Sequence, residues 1–252
     1  MGTIGANATN NVRLTATADT AISGNQTVNS LILSGAGGSI SGSAPADTLT
    51  VTSGAILMTR TTGASSNINV NLNFGSAEGI IGFIRGDIVN GAIHGSGGLT
   101  IHGNRNDEVL QLLNSASTYT GKTTILSNAM VATGALPSGS RTGDVYVYGN
   151  LQLSTAGYNG TINGLFGTGV VSYGNSGVSS LTIGDNNAIA TFSGLIDANS
   201  NLTIIKTGAG TQTLVGAHGI GVACSHLRSE RTRLRQGVNM HGRDQAELAG
   251  FI

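Results

Sequence analysis

The side chains that could perform acid–base chemistry are few and scattered. Charged residues make up only 10% of this 252-residue chain. Cleavage of a polysaccharide requires two converging carboxylates, or a carboxylate with a basic partner. The acids considered for that role are Asp87, Asp107, Glu108, Asp144, Asp185 and Asp197.

The densest polar spot combines Arg105 with Asp107 and Glu108. Neighbouring residues on a β-strand point to opposite sides, so the two carboxylates would not converge on a strand. Asp185 and Asp197 stand in the segments GDNN and DANSN, where an Asp side chain typically bonds nearby backbone in a turn. The sequence therefore predicts no catalytic residue.

The segment Gly121–Thr123 reads GKT and matches the end of a phosphate-binding loop. Such a loop needs a glycine five residues before Gly121, where Ala116 stands. It also needs a following helix whose amides face the phosphate, and no helical pattern follows. The segment is therefore interpreted as a turn of a repeat.

Two histidines and one cysteine are the remaining candidates for metal or nucleophilic chemistry. His94 and His102 are eight residues apart and could meet on one face. Two histidines without a nearby carboxylate or cysteine make a poor metal site. Cys224, the single cysteine, cannot form an internal disulfide and has no His or Asn context for catalysis. Neither a metal nor a cofactor is predicted.

Composition excludes several classes of protein. Glycine accounts for 40 residues without a three-residue period, which excludes collagen. The chain is 39% hydrophobic with zero formal charge, so neither disorder nor nucleic-acid binding is indicated. No apolar run approaches the roughly 18 residues of a transmembrane helix. The start, MGTIGANATNN, lacks the basic and apolar regions of a signal peptide.

Short segments with alternating apolar and polar residues follow one another up to Ala217. This period of two predicts half-buried strands, and the Gly, Asn, Ser and Asp clusters between them predict turns. GIIGFI, residues 79–84, is interpreted as a buried strand. The other predicted strands are Val12–Thr17, Ser30–Ser34, Thr48–Ser53, Ile68–Phe74, Leu99–Ile101, Thr123–Leu126, Val145–Gly149, Leu151–Ser154, Gly169–Gly174, Ser180–Gly184 and Leu202–Lys206.

Strands at intervals of about ten residues are compatible with a sandwich, a barrel or a β-solenoid. The solenoid is favoured because the units resemble one another and aromatic residues and proline are scarce. Coils of roughly 20 to 25 residues predict about nine turns for residues 1–217.

Residues 145–217 resemble the autotransporter-associated β-strand repeat of bacterial surface passengers. The matching segments are TINGLFGTGV (Thr161–Val170), LTIGDNNAIATFSGLI (Leu181–Ile196) and NLTIIKTGAGTQTLVGA (Asn201–Ala217). YTGKTTI (Tyr119–Ile125) matches part of an earlier copy. The resemblance implies an all-β, right-handed parallel β-helix displayed at or beyond the outer membrane, commonly secreted with a C-terminal transporter barrel. The motifs are silent on the ligand.

Composition shifts sharply at His218, so the predicted domains are a β-solenoid of residues 1–217 and an atypical basic tail of residues 218–252. The tail carries five arginines against three acids, whereas the preceding residues carry seven basic residues against nine acids. The tail is expected to be irregular, with a weak helix over Ser225–Gln236 begun by Ser225 as the N-cap. The hypothesis is that it is out-of-frame sequence closing a truncated passenger.

The expected function is that of a non-enzymatic, surface-displayed or secreted stalk that projects or adheres, with the repeat aiding secretion and folding. The expected partner is an unidentified surface ligand, either a carbohydrate or the surface of a host or neighbouring cell, and not nucleic acid. Exposed solenoid ends are expected to self-associate, because an open strand edge templates pairing. Two alternatives remain: a polysaccharide-active enzyme on the same fold, and a nonfunctional fragment.

Overall fold

The structure, a computed structural model, describes residues 4, 7–15, 18–35, 38–60, 62–104, 108–133, 136, 143–153, 159–173, 179–197, 202–215 and 235–237. In these ranges every regular element is a β-strand and none is a helix. The predicted all-β class is therefore confirmed for the described part of the chain.

The strands are short, most of them three to five residues long. Those of the first half are β1 (Asn7–Leu14), β2 (Thr20–Ile22), β3 (Gln26–Leu33), β4 (Ile40–Gly42), β5 (Thr48–Val51), β6 (Ala55–Met58), β7 (Asn67–Ile68), β8 (Asn71–Asn73), β9 (Gly79–Phe83), β10 (Asp87–Val89), β11 (Ile93–His94), β12 (Leu99–Gly103) and β13 (Val109–Leu112). Those of the second half are β14 (Thr123–Ile125), β15 (Met130–Thr133), β16 (Val145–Val147), β17 (Asn150–Leu153), β18 (Asn159–Ile162), β19 (Leu165–Gly167), β20 (Val170–Tyr173), β21 (Ser179–Ile183), β22 (Ala190–Phe192), β23 (Leu195–Asp197), β24 (Leu202–Lys206), β25 (Gln212–Val215) and β26 (Arg235–Gly237).

Three faces of parallel strands form the solenoid. The first face has the order β3-β6-β9-β12-β14-β16-β19-β22-β25-β26, and the second has the order β2-β4-β7-β10-β13-β15-β17-β20-β23. The third face is formed by β5-β8-β11 early in the chain and by β18-β21-β24 late in it, and β1 pairs in parallel with β3. β3 serves two faces, because its first residues pair with β5 and its last residues pair with β6.

The length of a coil varies along the stack. Paired residues on the first face are 20 positions apart between Ile80 and Thr100 and 25 apart between Leu31 and Ile56. The stack has about 8 turns, against about nine predicted. A variable coil keeps the strands in register only if loops at the corners absorb the extra residues.

Aliphatic columns fill the inside of the solenoid. On the first face one column runs through Leu31, Ile56, Ile81, Ile101, Ile125 and Val147, each paired with the next and each at most 2% exposed. Burial of each such side chain contributes roughly 1.5–3 kcal/mol. Period-two alternation in the sequence thus becomes a continuous core along the axis.

Glycines stack at the corner that precedes the first face. A Cβ on Gly97 would lie 2.0 Å from the Ala77 carbonyl oxygen, and one on Gly143 would lie 2.0 Å from that of Gly121. A Cβ on Gly121 would lie 2.5 Å from the backbone of Gly97. No side chain fits in this column, which explains the glycine of GKT without a phosphate.

The segment GIIGFI, predicted to be a buried strand, forms β9 but points Ile80 outward, where it is 46% exposed. Two further sequence-based predictions require correction. The predicted strand Ile68–Phe74 is two strands, because the chain turns a corner at Asn69 and Val70. The alternation continues through that corner since Val70 points inward and is 2% exposed, so the pattern alone did not reveal the turn.

The second correction concerns the tail. Most of the helix predicted over Ser225–Gln236 lies outside the described residues, but its last two positions belong to β26. β26 adds to β25 in parallel, pairing Thr213 with Arg235 and Leu214 with Gln236. An open strand edge offers unpaired amides and carbonyls, which is the physical reason for a strand at this place.

Candidate functional site

A buried ion pair interrupts the aliphatic core at the start of the second face. Arg60 Nε donates to Asp87 Oδ1 at 2.6 Å, and the two side chains are 5% and 0% exposed. The guanidinium also donates to the carbonyl of Gly63 at 3.0 Å and to that of Gly86. The backbone N–H of Ser66 donates to the same Asp87 oxygen at 3.0 Å.

Glu108 lies beside this pair, one coil further on. Its Oε2 accepts a hydrogen bond from the Gly86 N–H at 2.8 Å, and its Oε1 lies 3.7 Å from Arg85 Nε. The structure therefore brings together Asp87 and Glu108, a pairing that sequence reasoning missed. Arg105 and Asp107, the predicted neighbours of Glu108, lie outside the described residues.

We call Arg60, Ser66, Asp87 and Glu108 the buried polar cluster. Burial raises the pKa of the Asp87 carboxyl and the nearby Glu108 adds to the rise, while hydrogen bonds from Arg60 and the Ser66 N–H oppose it. Asp87 is 0% exposed, so a substrate cannot touch its carboxylate in this conformation. Among the described residues, neither Asp87 Oδ2 nor Ser66 Oγ has a hydrogen-bond partner. The arrangement supports a structural role for the ion pair.

The other candidate acids are spread over different positions of the coil. Asp144 Oδ1 accepts a hydrogen bond from Asn163 Nδ2 at 2.7 Å, in the corner before the first face. Asp185 lies in the turn after β21, as predicted, whereas Asp197 is the exposed last residue of β23 rather than a turn residue. Asp197 is a strand residue because it pairs with Ser172 of the coil before it.

The two histidines do not share a strand column. His94 ends β11, where its Nδ1 lies 2.7 Å from Thr118 Oγ1, whereas His102 is an exposed residue of β12 on the first face. The corner between them, residues 95–98, separates the two faces and is why eight-residue spacing did not bring them together. Within the described ranges no three His, Cys, Asp or Glu side chains form a metal-binding group; Cys224 lies outside those ranges.

Tyr119 and Thr123 of the YTGKTTI segment are structural. Tyr119 is 2% exposed, and its hydroxyl lies 2.8 Å from Thr123 Oγ1. Burial raises the pKa of Tyr119, and the hydrogen bond with Thr123 opposes the rise. The two hydroxyls satisfy each other inside the solenoid, so neither is presented to a ligand.

The outward side of the first face carries an uninterrupted strip of uncharged side chains. We call this surface the outer strip and define it by two rows. The first row is Ile80, Thr100, Thr124, Tyr146 and Phe166, each paired with the next. The second row is Leu57, Gly82 and His102, paired in the same way, followed by Leu126 and Tyr148, whose N–H groups donate to the carbonyls of Ile101 and Ile125. Leu57, Ile80 and Tyr148 are 41%, 46% and 44% exposed. Leu57 and Ile80 lie on neighbouring strands, whereas Tyr148 lies several coils further along and Thr100, His102 and Thr124 stand between them.

Two aromatic rings of the outer strip stack along the solenoid axis. The centroids of Tyr146 and Phe166 are 4.6 Å apart, with an angle of 8° between the ring planes. This separation is close to the strand spacing of about 4.8 Å, because the residues pair directly between β16 and β19. The ring edges and the Tyr146 hydroxyl are therefore what this pair presents outward.

Sequence reasoning did not single out the outer strip. The available signal was the aromatic residues at outward positions of VYVYG and of GLFG, where Ser and Thr occupy most other strands. Their convergence required knowledge of which strands are neighbours.

Comparison of the chain with protein-family models, with curated proteins and with solved structures gives no match. Over the part of the chain that the structure describes, no helix is long and apolar enough to cross a membrane.

Proposed function

We propose that the protein is a non-enzymatic passenger of a bacterial surface or secreted protein, in which the solenoid acts as a stalk that projects and adheres. The observation that carries this proposal is the continuous stack of about 8 turns around one aliphatic core. Each coil covers the open edge of the one before it, so the fold makes a rod that lengthens without a larger cross-section. The resemblance of Thr161–Ala217 to passenger repeats supports surface display.

The polar residues support the same proposal. Ser41, Asn69 and Asn90 form a ladder in which Asn69 Nδ2 donates to Ser41 Oγ at 3.2 Å and Asn90 Nδ2 donates to Asn69 Oδ1 at 2.7 Å. Asn114 Nδ2 extends it by donating to the Asn90 carbonyl at 3.0 Å. Side chains that join successive coils in this way suit a rod that bears load along its axis.

Surface display is tested by labelling intact cells of the source organism with antibodies raised against the purified chain. We expect labelling of unpermeabilised cells, or protein in the culture fluid. A signal that appears only after permeabilisation would overturn the proposal.

The competing function is cleavage of an acidic polysaccharide, for which Glu108 beside Arg85 is the most accessible carboxylate of the buried polar cluster. A turnover assay on acidic polysaccharides separates the two. If the protein is a non-enzymatic stalk, the native chain should release no product in this assay. Product formation that is lost in Glu108→Gln would establish an enzyme instead.

A further inference from the structure

We propose that the outer strip binds a neutral, unbranched polysaccharide chain lying along the solenoid axis. This inference rests on the proposed function, since it names the class of surface ligand that an adhesive stalk would hold. It is carried by the shape, the charge and the exposed groups of the first face.

The shape of the outer strip suits a linear polymer. First-face strands offer at most two outward side chains each: β12 presents Thr100 and His102, whereas β9 presents Ile80 alone because its second outward position is Gly82. A globular partner generally needs about 800 Å² on each side of a stable interface, which a ribbon two side chains wide does not provide. The repeat along the strip is the strand spacing of about 4.8 Å, close to the length of one hexose unit in an extended polysaccharide.

The charge of the strip selects against polyanions. Neither row contains Asp, Glu, Lys or Arg. Three charged residues stand in the adjoining corner. Glu78 accepts a hydrogen bond from Thr100 at 2.6 Å, and Lys122 precedes Thr123. Burial raises the pKa of Tyr146, and the nearby carboxylate of Asp144 adds a smaller rise. Acids outnumber the cation at this border, so nucleic acids and acidic polysaccharides would be repelled, whereas a neutral polymer would not.

The exposed groups match the two kinds of surface on a sugar. Leu57, Ile80 and the ring of Tyr148 expose apolar area on which the C–H faces of sugar rings can pack. Tyrosine hydroxyls and the Thr124 hydroxyl offer donors and acceptors to the ring hydroxyls, and tyrosine combines both properties in one rigid side chain. The polar residues Thr100, His102 and Thr124 interrupt the apolar ones, which disfavours insertion into a lipid bilayer.

The test measures binding of the full chain to two soluble neutral probes, hydroxyethyl cellulose and unbranched mixed-linkage β-glucan, by affinity electrophoresis, with alginate as the polyanionic comparison. We expect one or both neutral polymers, and not alginate, to retard the native chain. Tyr148→Thr should weaken that retardation by about ten-fold or more, as truncation of an exposed aromatic anchor does. Leu195→Thr, at a residue 40% exposed on the second face, is the matched control and should leave binding unchanged.

Several results would overturn the inference. The inference fails if the native chain binds neither neutral polymer, if it binds alginate more strongly than the neutral polymers, or if Tyr148→Thr binds as well as the native chain. It also fails if the native chain is a dimer that Tyr148→Thr converts to a monomer. Tyr148 follows β16 and lies outside the stacked ring pair, so its replacement should preserve the thermal unfolding midpoint. If this variant does not fold, Leu57→Thr on β6 replaces it with the same expected result. Binding of purified chain without labelling of intact cells would refute surface display while leaving the polysaccharide site standing.

Discussion

The side-chain amide of Gln212 takes the place of a missing strand neighbour for the backbone of Leu165. Leu165 N–H donates to Gln212 Oε1 at 2.9 Å, and Gln212 Nε2 donates to the Leu165 carbonyl at 2.9 Å. β22 lies between these strands but pairs with β19 only through Gly167 and Phe192. One buried glutamine, 2% exposed, thus bridges two coils where the backbone ladder is incomplete.

Replacement of Gln212 by leucine should therefore destabilise the protein more than loss of packing explains. It leaves the N–H and carbonyl of Leu165 buried without partners, and each such group costs about 1–3 kcal/mol. We expect a loss of about 2–4 kcal/mol in the free energy of unfolding, measured by urea denaturation, with faster hydrogen exchange of the Leu165 amide. Thr213→Val, at the outward neighbour, is the control. An unchanged exchange rate in Gln212→Leu would show that the bridge is not formed in solution.

Ser66 and Ser117 are both buried but should respond oppositely to removal of the hydroxyl. Ser66 Oγ is without a partner among the described residues, whereas Ser117 Oγ accepts from the Ile93 N–H at 3.1 Å and donates to the Asn114 carbonyl at 3.0 Å. Ser66→Ala should be neutral or stabilising, and Ser117→Ala should cost about 1–3 kcal/mol. Thermal unfolding measures both. A loss in Ser66→Ala as large as that in Ser117→Ala would indicate that Ser66 has a partner such as a buried water.

Asp47 and Asp87 should shift stability with pH in opposite directions. The Ala44 N–H lowers the pKa of Asp47 below 3.8, with burial opposing and the Ser43 hydroxyl assisting. The stabilisation that Asp47 contributes is therefore complete above pH 3.8, and it is lost as the pH falls through the pKa of Asp47 in the folded state. Burial raises the pKa of Asp87 above 3.8. The stabilisation that protonated Asp87 contributes is complete below pH 3.8, and it is lost as the pH rises through the pKa of Asp87 in the folded state.

The measurement is the free energy of unfolding of the native chain, Asp47→Asn and Asp87→Asn from about pH 2 to pH 7, the range in which carboxylates titrate. Relative to Asp47→Asn, the native chain should lose stability on acidification. Relative to Asp87→Asn, it should gain stability on acidification. Parallel curves for the two comparisons would contradict the assigned environments.

Gly121→Ala should be far more harmful than Gly86→Ala, although both glycines lie at corners. A Cβ on Gly121 would lie 2.5 Å from backbone atoms of Gly97 and Gly98, whereas one on Gly86 would meet Glu108 and Val109 at 3.5 Å. The methyl group of Gly121→Ala must push two coils apart, at a cost of about 3 kcal/mol or more. The methyl group of Gly86→Ala makes an ordinary van der Waals contact. Denaturant midpoints of the two variants check this, and equal midpoints would refute the close stacking.

Removal of residues 218–252 should make the chain self-associate. β26 covers the edge of β25 through Thr213, Leu214 and Val215, and an uncovered edge strand recruits another chain. Sedimentation velocity should show oligomers that grow with concentration in the truncated chain. Adding Val215→Lys, a charge at a residue 48% exposed, should restore the monomer. A truncated chain that stays monomeric at high concentration would show that the tail does not protect this edge.

Much of the fold could be predicted because its signals are local. Alternation in segments such as SLTIG and LTIIK predicted β21 and β24, and the glycine of GKT was correctly interpreted as a turn. The three-residue strands β2 and β4 escaped prediction, whereas β14 and β16, which are equally short, were predicted within the longer alternating segments TTIL and VYVYG. The corner at Asn69 escaped because a buried Val70 continued the alternation around it.

The sequence by itself determined the all-β class and the scarcity of acid–base groups, because composition and a two-residue period act over a few neighbouring residues. The similarity of the units favoured a solenoid, and the resemblance to passenger repeats implied that its strands are parallel. Only the tertiary structure decided which residues meet across coils. Arg60 meets Asp87 at a separation of 27 positions and Gln212 meets Leu165 at a separation of 47. The physical reason is the variable coil length, from 20 residues between Ile80 and Thr100 to 28 between Ile40 and Ile68. Loops at the corners set the register of each coil, so no fixed period in the sequence predicts the outer strip or the buried polar cluster.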